Sequence, residues 1–228
     1  DFDQQNDNNH WADAIKKEMK AMEDHHVFKV LDKNSRPPTE YLRIPLMMIF
    51  SIKQDGTHKA RLVAGGHVTG PPQAEVYASV VKTENVCLIF LLAEIHHLEL
   101  LMGDISNAYL NATTDEKVYA VAGPEFGEFT GRVVLLLRAL YGLKTSGNKW
   151  HMHFADSLRS IGFTSSMVDP NMWLKRVDTW YEYICTHTDD FIIASKSPKK
   201  IMEQLLQIYK IRNIGPPSFL LGADIVRR

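Results

Sequence analysis

Apolar residues recur along this chain with two periods, and the switches between them mark out its elements. Trp11, Ile15, Met19 and Met22 fall at helical spacing and predict a helix. It follows a polar lead-in, residues 1–9, that is expected to be disordered. Residues 46–53 and 59–64 predict two strands joined as a hairpin through Asp55-Gly56. Gly65-Gly66 and Gly70-Pro71-Pro72 then break regular structure. Residues 84–97 predict a helix capped by Thr83; its middle, 86–93, is apolar nearly all round and is expected to be buried.

Residues 98–105 predict a strand that ends in Gly103-Asp104, and 117–122 predict another. Residues 140–147 are irregular, with glycines at 142 and 147. A helix then runs to about residue 161, with Trp150, Phe154 and Leu158 on one face and Gly162 as its stop. Strands are predicted at 172–176, 180–187 and 191–195, with turns at Asp178 and across Thr188-Asp189-Asp190. Ser197-Pro198 opens a helix, with Ser as cap and Pro at the first position. A last hairpin is expected around 219–226, with Gly222 near its turn. Hairpins and helices in this order predict an α+β fold, with helices packed on antiparallel sheet and no internal repeat. That class alone says little about function.

The 228 residues, 45% hydrophobic and 23% charged, have an ordinary globular composition and suffice for one large domain or two small ones. A net charge of −1 is not that of a broadly basic nucleic-acid binder, but bases gather at 53–61, 132–149, 196–200 and Arg227-Arg228. Cys87 and Cys185 sit in apolar runs and are expected to be buried free thiols. No Cys/His spacing suggests zinc, and the ten histidines read as structural or surface residues. The longest apolar stretch, 86–95, is too short to span a bilayer and contains Glu94, so no membrane partner is expected. The chain opens without methionine and is expected to be a fragment of something longer.

The pair Asp189-Asp190 stands between two apolar strands. Adjacent carboxylates there repel each other and lose solvation, and a divalent cation is the usual compensation. A solvated turn, where Asp is common, explains the pair as well on composition alone. Asp104 shifts the balance, because it too ends an apolar strand. Three carboxylates at strand ends suit two-metal phosphoryl transfer.

With these residues in view, the chain resembles the reverse transcriptase of copia-type retrotransposons from about Trp11 to Ile225. Residues 55–66, with Lys59-Ala60-Arg61, are similar to that family's fingers hairpin. Asp104-Ile105-Ser106-Asn107-Ala108-Tyr109 is similar to its first catalytic motif. Leu140-Tyr141-Gly142-Leu143-Lys144-Thr145-Ser146 is very close to a family signature, and His187-Thr188-Asp189-Asp190 stands where the family has Tyr-Val-Asp-Asp. Phe219-Leu220-Leu221-Gly222 is similar to its primer-grip hairpin.

The resemblance implies a right-hand polymerase with fingers at 10–98 and 112–148. Its palm would lie at 99–111 and 149–228, with the primer grip at its end, a ferredoxin-like core and a thumb cut short. It implies an RNA-directed DNA polymerase that adds dNTPs to a DNA or tRNA primer on an RNA template. Asp104, Asp189 and Asp190 match the catalytic acids, holding Mg2+ (with Mn2+ as substitute) together with the carbonyl of Ile105. Lys59, Arg61, Tyr109, Gly142 and Lys144 match nucleotide-binding positions, Tyr109 as the steric gate against a ribose 2′-hydroxyl. His187, Thr188, Leu221 and Gly222 match positions near the primer. Downstream RNase H and upstream integrase segments of one polyprotein are implied, as is a cytoplasmic setting in virus-like particles.

Read without the family, Lys59 and Arg61 are an exposed strand face, Tyr109 is core, and Lys144 is a solvated loop residue. His187 and Thr188 depart from the usual Tyr-Val, and Gly147 stands where the family often has Pro. Neither change before the paired Asp removes a metal ligand. The alternative reading is a catalytically decayed retroelement relic that folds and binds nucleic acid without turnover. A third is another palm-type phosphotransferase, such as a nucleotide cyclase.

Overall fold

A computed structural model describes residues 3, 8–53, 55–71, 76–220 and 223–225. In chain order the first half runs α1 (His10–Asp24), β1 (Phe28–Val30), β2 (Leu42–Arg43), β3 (Leu46–Ile52), β4 (His58–Ala64), α2 (Thr83–Ile95), β5 (Glu99–Ile105), β6 (Val118–Val121) and β7 (Val133–Leu136). There follow α3 (Ser146–Ser160), β8 (Thr164–Ser165), β9 (Met172–Val177), β10 (Trp180–His187), β11 (Asp190–Ser195), α4 (Pro198–Leu206), β12 (Ile211–Gly215), β13 (Phe219–Leu220) and β14 (Ala223–Asp224). The chain divides into two compact units, Asp1–Tyr77 with Tyr109–Trp150, and Ala78–Ala108 with His151–Arg228.

In the first unit β3 and β4 form the expected hairpin, in register from Leu46↔Ala64 to Ile52↔His58. Gly56 turns it at φ 80, and the Asp55 carboxylate accepts the amide of Thr57 at 2.9 Å. Strand period two buries Ala60, Leu62 and Ala64 and leaves Lys59, Arg61 and Val63 half-exposed on the other face. Leu62 packs with Met22 of α1, Ile44, Leu136 and Leu140. A second sheet has the order β1-β7-β6-β2, with only the β2–β6 pair parallel. Asp3, within the lead-in, accepts the amides of Trp11 and Ala12 at 3.1 and 2.9 Å and so caps α1.

The second unit carries a six-stranded antiparallel sheet of order β12-β5-β11-β10-β9-β8. Its core reads β5-α3-β10-β11-α4-β12 along the chain, the βαββαβ sequence of a ferredoxin-like fold. One face of the sheet (Met102, Ile192, Ala194, Cys185) packs on Val86, Ile89 and Ala93 of α2, which is why that helix belongs to this unit. On the other face Phe191 meets Phe154 of α3 at 6.0 Å between ring centroids. Gly103 admits no side chain there: a Cβ would lie 2.7 Å from Ile211 and 3.0 Å from Phe191.

Three expectations about α2 are corrected. The helix is not buried all round, because it lies on one sheet face and only one stripe reaches it; Leu91 and Ile95 are 56% and 59% exposed. Cys87 falls on the open side and is exposed, whereas Cys185 is buried as expected; both are free thiols. Nor does Thr83 cap the helix, which it begins as the first helical residue. Asp169, buried and 87 positions away from Lys82, accepts the Lys82 amide at 3.2 Å and the Asn85 side chain at 2.6 Å. Burial would raise the Asp169 carboxyl, but the bonds it accepts from Asn171, Asn85 and Lys82 outweigh that and hold it below its ordinary value. Ser197 stands at the N-cap of α4 and Pro198 at its first position, although the Ser197 side chain makes no cap bond.

Candidate active site

Asp104 is the penultimate residue of β5 and Asp190 the first of β11, and the two are direct partners in the antiparallel register. Strand period two puts Leu100, Met102 and Asp104 in one row, and Ala194, Ile192 and Asp190 in the next. Both rows lie on the α2 face, so two apolar rows end in facing carboxylates. Their Cβ atoms are then about 5 Å apart. Asp189 lies in the turn between β10 and β11, and its carbonyl accepts the Ile105 amide at 2.8 Å. The turn is therefore tied to the end of β5, and the three acids come together at one end of the inner strands β5 and β11.

Charge crowding there has a clear effect. Burial, then the negative charges of Asp189 and Asp104, push the Asp190 carboxyl from 3.8 up to about 6, with His187 and Arg212 pulling it back. Arg212 of β12 is the register partner of Asp104 on its other side. Its Nη2 donates to both Asp104 oxygens, at 2.8 and 3.1 Å. Sequence reasoning missed Arg212, which lies 108 positions from its partner.

Among the described residues no group of three or more His, Cys, Asp or Glu side chains is placed to hold a metal ion. The residues present nevertheless fit a hard divalent cation. All their donors are oxygens, and like charges crowd Asp190 in a way that a cation would relieve. An incomplete protein cage is also what Mg2+ favours, since it takes one or two carboxylates and completes its shell with phosphates and water.

The residues matched to the nucleotide lie in the first unit. Lys59 and Arg61 share the half-exposed face of β4. Behind that strand, Glu18 of α1 accepts the Leu62 amide at 3.1 Å. Burial raises the Glu18 carboxyl, against the lowering effects of that amide and of Lys59 and Arg61. Sequence reasoning missed Glu18 as well.

Gly142 has φ 91, and a Cβ on it would lie 2.0 Å from the carbonyl oxygen of Ala64. The Ala64 amide donates to Tyr141 O at 2.7 Å, so the 140–146 loop seats backbone to backbone on β4. The Arg61 guanidinium lies 4.9 Å over the Tyr141 ring, and that ring meets Tyr109 at 4.6 Å. Lys144 donates from Nζ to the carbonyls of Thr69 and Gly70 at 2.6 and 3.3 Å.

Near the acid pair, His187 faces Asp190 across the hairpin and Thr188 takes φ 57. A β-branched residue is strained there. Leu221 and Gly222 lie outside the described residues, although β13 and β14 on either side of them pair as expected.

The family described as reverse transcriptase (RNA-dependent DNA polymerase) matches residues 25–228. The Pol polyprotein of transposon TNT 1-94 from Nicotiana tabacum is 28% identical over 94% of this chain and 17% of its own length. The Gag-Pol polyprotein of transposon Ty1-DR4 from Saccharomyces cerevisiae is 31% identical over 79% of this chain and 11% of its own. The chain thus spans about a sixth or less of these curated relatives. A solved foamy viral protease–reverse transcriptase in complex with double-stranded DNA aligns with TM-score 0.48 and 13% identity, over 92% of this chain and 32% of that one. Among the described residues no helix is long and apolar enough to cross a membrane. A match over most of the length, with retrotransposon polyproteins as relatives, places the chain in the reverse transcriptase family, as a copia-type reverse transcriptase domain.

Proposed function

We propose that this chain carries the polymerase centre of a retrotransposon reverse transcriptase and adds deoxynucleotides to a primer 3′ end on an RNA template. The observation that supports this best is the register pair Asp104↔Asp190, with Asp189 in the adjoining turn. In this reading residues 10–98 and 112–148 form the fingers and residues 99–111 and 149–228 the palm. Asp104 and Asp189, with the Ile105 carbonyl, hold Mg2+ or Mn2+, and Asp190 is the third acid. The bound cations supply activation of the primer hydroxyl and charge neutralisation at the leaving pyrophosphate.

The chain's own residues do the rest. Lys59 and Arg61 bind the triphosphate through charge-assisted hydrogen bonds. Tyr109 fills the space that a ribose 2′-hydroxyl would need. Gly142 lets the 140–146 loop sit against β4, and Lys144 fastens it to the 69–70 carbonyls. Arg212 neutralises Asp104 before substrate arrives and must release it for a cation to bind. His187 and Thr188 border the primer end, as do Leu221 and Gly222. The RNA template, a DNA or tRNA primer, RNase H and integrase segments of the same polyprotein, and cytoplasmic particles complete the reading.

Primer extension with dTTP on an RNA template, in Mg2+ and then Mn2+, tests it beside Asp189→Asn. Extension that the substitution abolishes is the expected result. Extension that survives the substitution refutes the assigned metal site. No extension, even with the downstream polyprotein sequence restored, makes the chain a decayed copy.

A further inference from the structure

The ring of Tyr141 connects two residues to which the proposed function gives separate tasks. Arg61 stacks on it at 4.9 Å, and the Tyr109 ring meets it at 4.6 Å with the planes 58° apart. The backbone beneath is fixed on both sides. Tyr141 O accepts the Ala64 amide at 2.7 Å, and Gly142, at φ 91, leaves no room for even a Cβ against Ala64 O. A ring carried on a backbone held in this way can order its neighbours, even with Tyr141 itself 38% exposed. Arginine otherwise spreads over many rotamers, and a stacked guanidinium gives up that freedom before any ligand arrives. The offset contact with Tyr109 restricts the second ring in the same way.

We infer that Tyr141 is a positioning residue that sets Arg61 and Tyr109 relative to each other. Triphosphate affinity and sugar discrimination then depend on one ring. This rests on the proposed function only in taking Arg61 as the phosphate contact and Tyr109 as the gate. The ring contacts are all within the first unit.

The test compares wild type, Tyr141→Leu and Tyr141→Phe in primer extension with dTTP and with UTP. A cation–π contact at a partly exposed site corresponds to about a two- to fivefold effect. Tyr141→Leu should therefore raise KM for dTTP about two- to fivefold and relax dTTP-over-UTP preference, with a smaller change in kcat. Tyr141→Phe, which keeps the ring, should restore both. A merely structural role would lower kcat through loss of folded enzyme and leave KM and sugar preference in place. That pattern overturns the inference.

A second measurement separates this inference from the polymerase reading. In a double-mutant cycle of Arg61→Met and Tyr141→Leu on urea unfolding, the coupling should change the unfolding constant by about two- to fivefold. Coupling within error of zero overturns the contact whether or not the chain extends primers. Full coupling with no extension by the wild type, even with the downstream polyprotein sequence restored, refutes the polymerase reading and keeps the contact.

Discussion

Replacing Asp190 with Asn should make the protein more stable at neutral pH, although it removes one of the three acids. The carboxyl is raised from 3.8 to about 6, first by burial and then by Asp189 and Asp104. The folded chain therefore holds this proton more tightly than the unfolded chain does. Stability from it is fully present below the unfolded value and is lost as pH rises through the folded one. The full difference corresponds to about 3 kcal/mol, and solvent screening of a half-exposed group reduces the expected loss to on the order of 1 kcal/mol. Asn cannot ionise, so the variant escapes that loss. Urea unfolding of both proteins in EDTA, at steps from about pH 4 to about pH 7.5, reads the difference directly. Titrating groups away from this site are common to both proteins and cancel, and the coupled neighbours Asp189, Asp104 and His187 count as part of the effect. The two curves should begin to separate near about pH 4 and reach their full gap a little above about pH 6, with the variant on top. Mg2+ at neutral pH should narrow the gap by stabilising the wild type more. Parallel curves across the range, or a variant less stable at neutral pH, would refute the crowding argument.

Gly142→Ala forces a side chain to φ 91 and against Ala64 O, and should cost about 3 kcal/mol or more in urea unfolding. A loss below about 1 kcal/mol would mean that the loop does not seat as described. Thr188 sits at φ 57, so Thr188→Gly should exceed Thr188→Ala in stability by about 1 kcal/mol; equal melting temperatures would remove the strain argument. Burial pushes the Cys185 thiol up to about 12 while Cys87 is exposed, so a thiol reagent at neutral pH should label one cysteine in the native chain and two in urea. Fast native labelling of both would contradict the burial of Cys185.

Elements with a sustained period were legible in the sequence. The β3–β4 hairpin, β5, the β9–β10–β11 meander and the faces of α1 and α3 all follow from apolar spacing. Strands β1 and β2 were not, because three and two residues hold no period and their pairing is long-range. The β7 run, Val133–Leu136, is four apolar residues with no alternation and so does not declare its partners β1 and β6. For α2, an apolar pattern on every side specified a helix but could not say which stripe meets the sheet. The sheet decides that, and it leaves Leu91 and Cys87 outside.

Local signals also explain which parts of the site could be read. Asp104, Asp189 and Asp190 each interrupt an apolar strand end, and an ion in that place needs compensation wherever the chain goes. Arg212, Glu18 and Asp169 carry no such mark, since each gains its role only when distant strands or helices come into register. The same reasoning explains why a net charge of −1 was a poor guide to function. It sums opposite local fields: acids crowded at the ends of two inner strands in the second unit, and Lys59 and Arg61 on a strand face in the first. Each field has its own internal counter-charge, Arg212 against Asp104 and Glu18 behind the basic strand. In the proposed reading one field would hold cations and the other phosphates, and a chain carrying both fields comes out close to neutral.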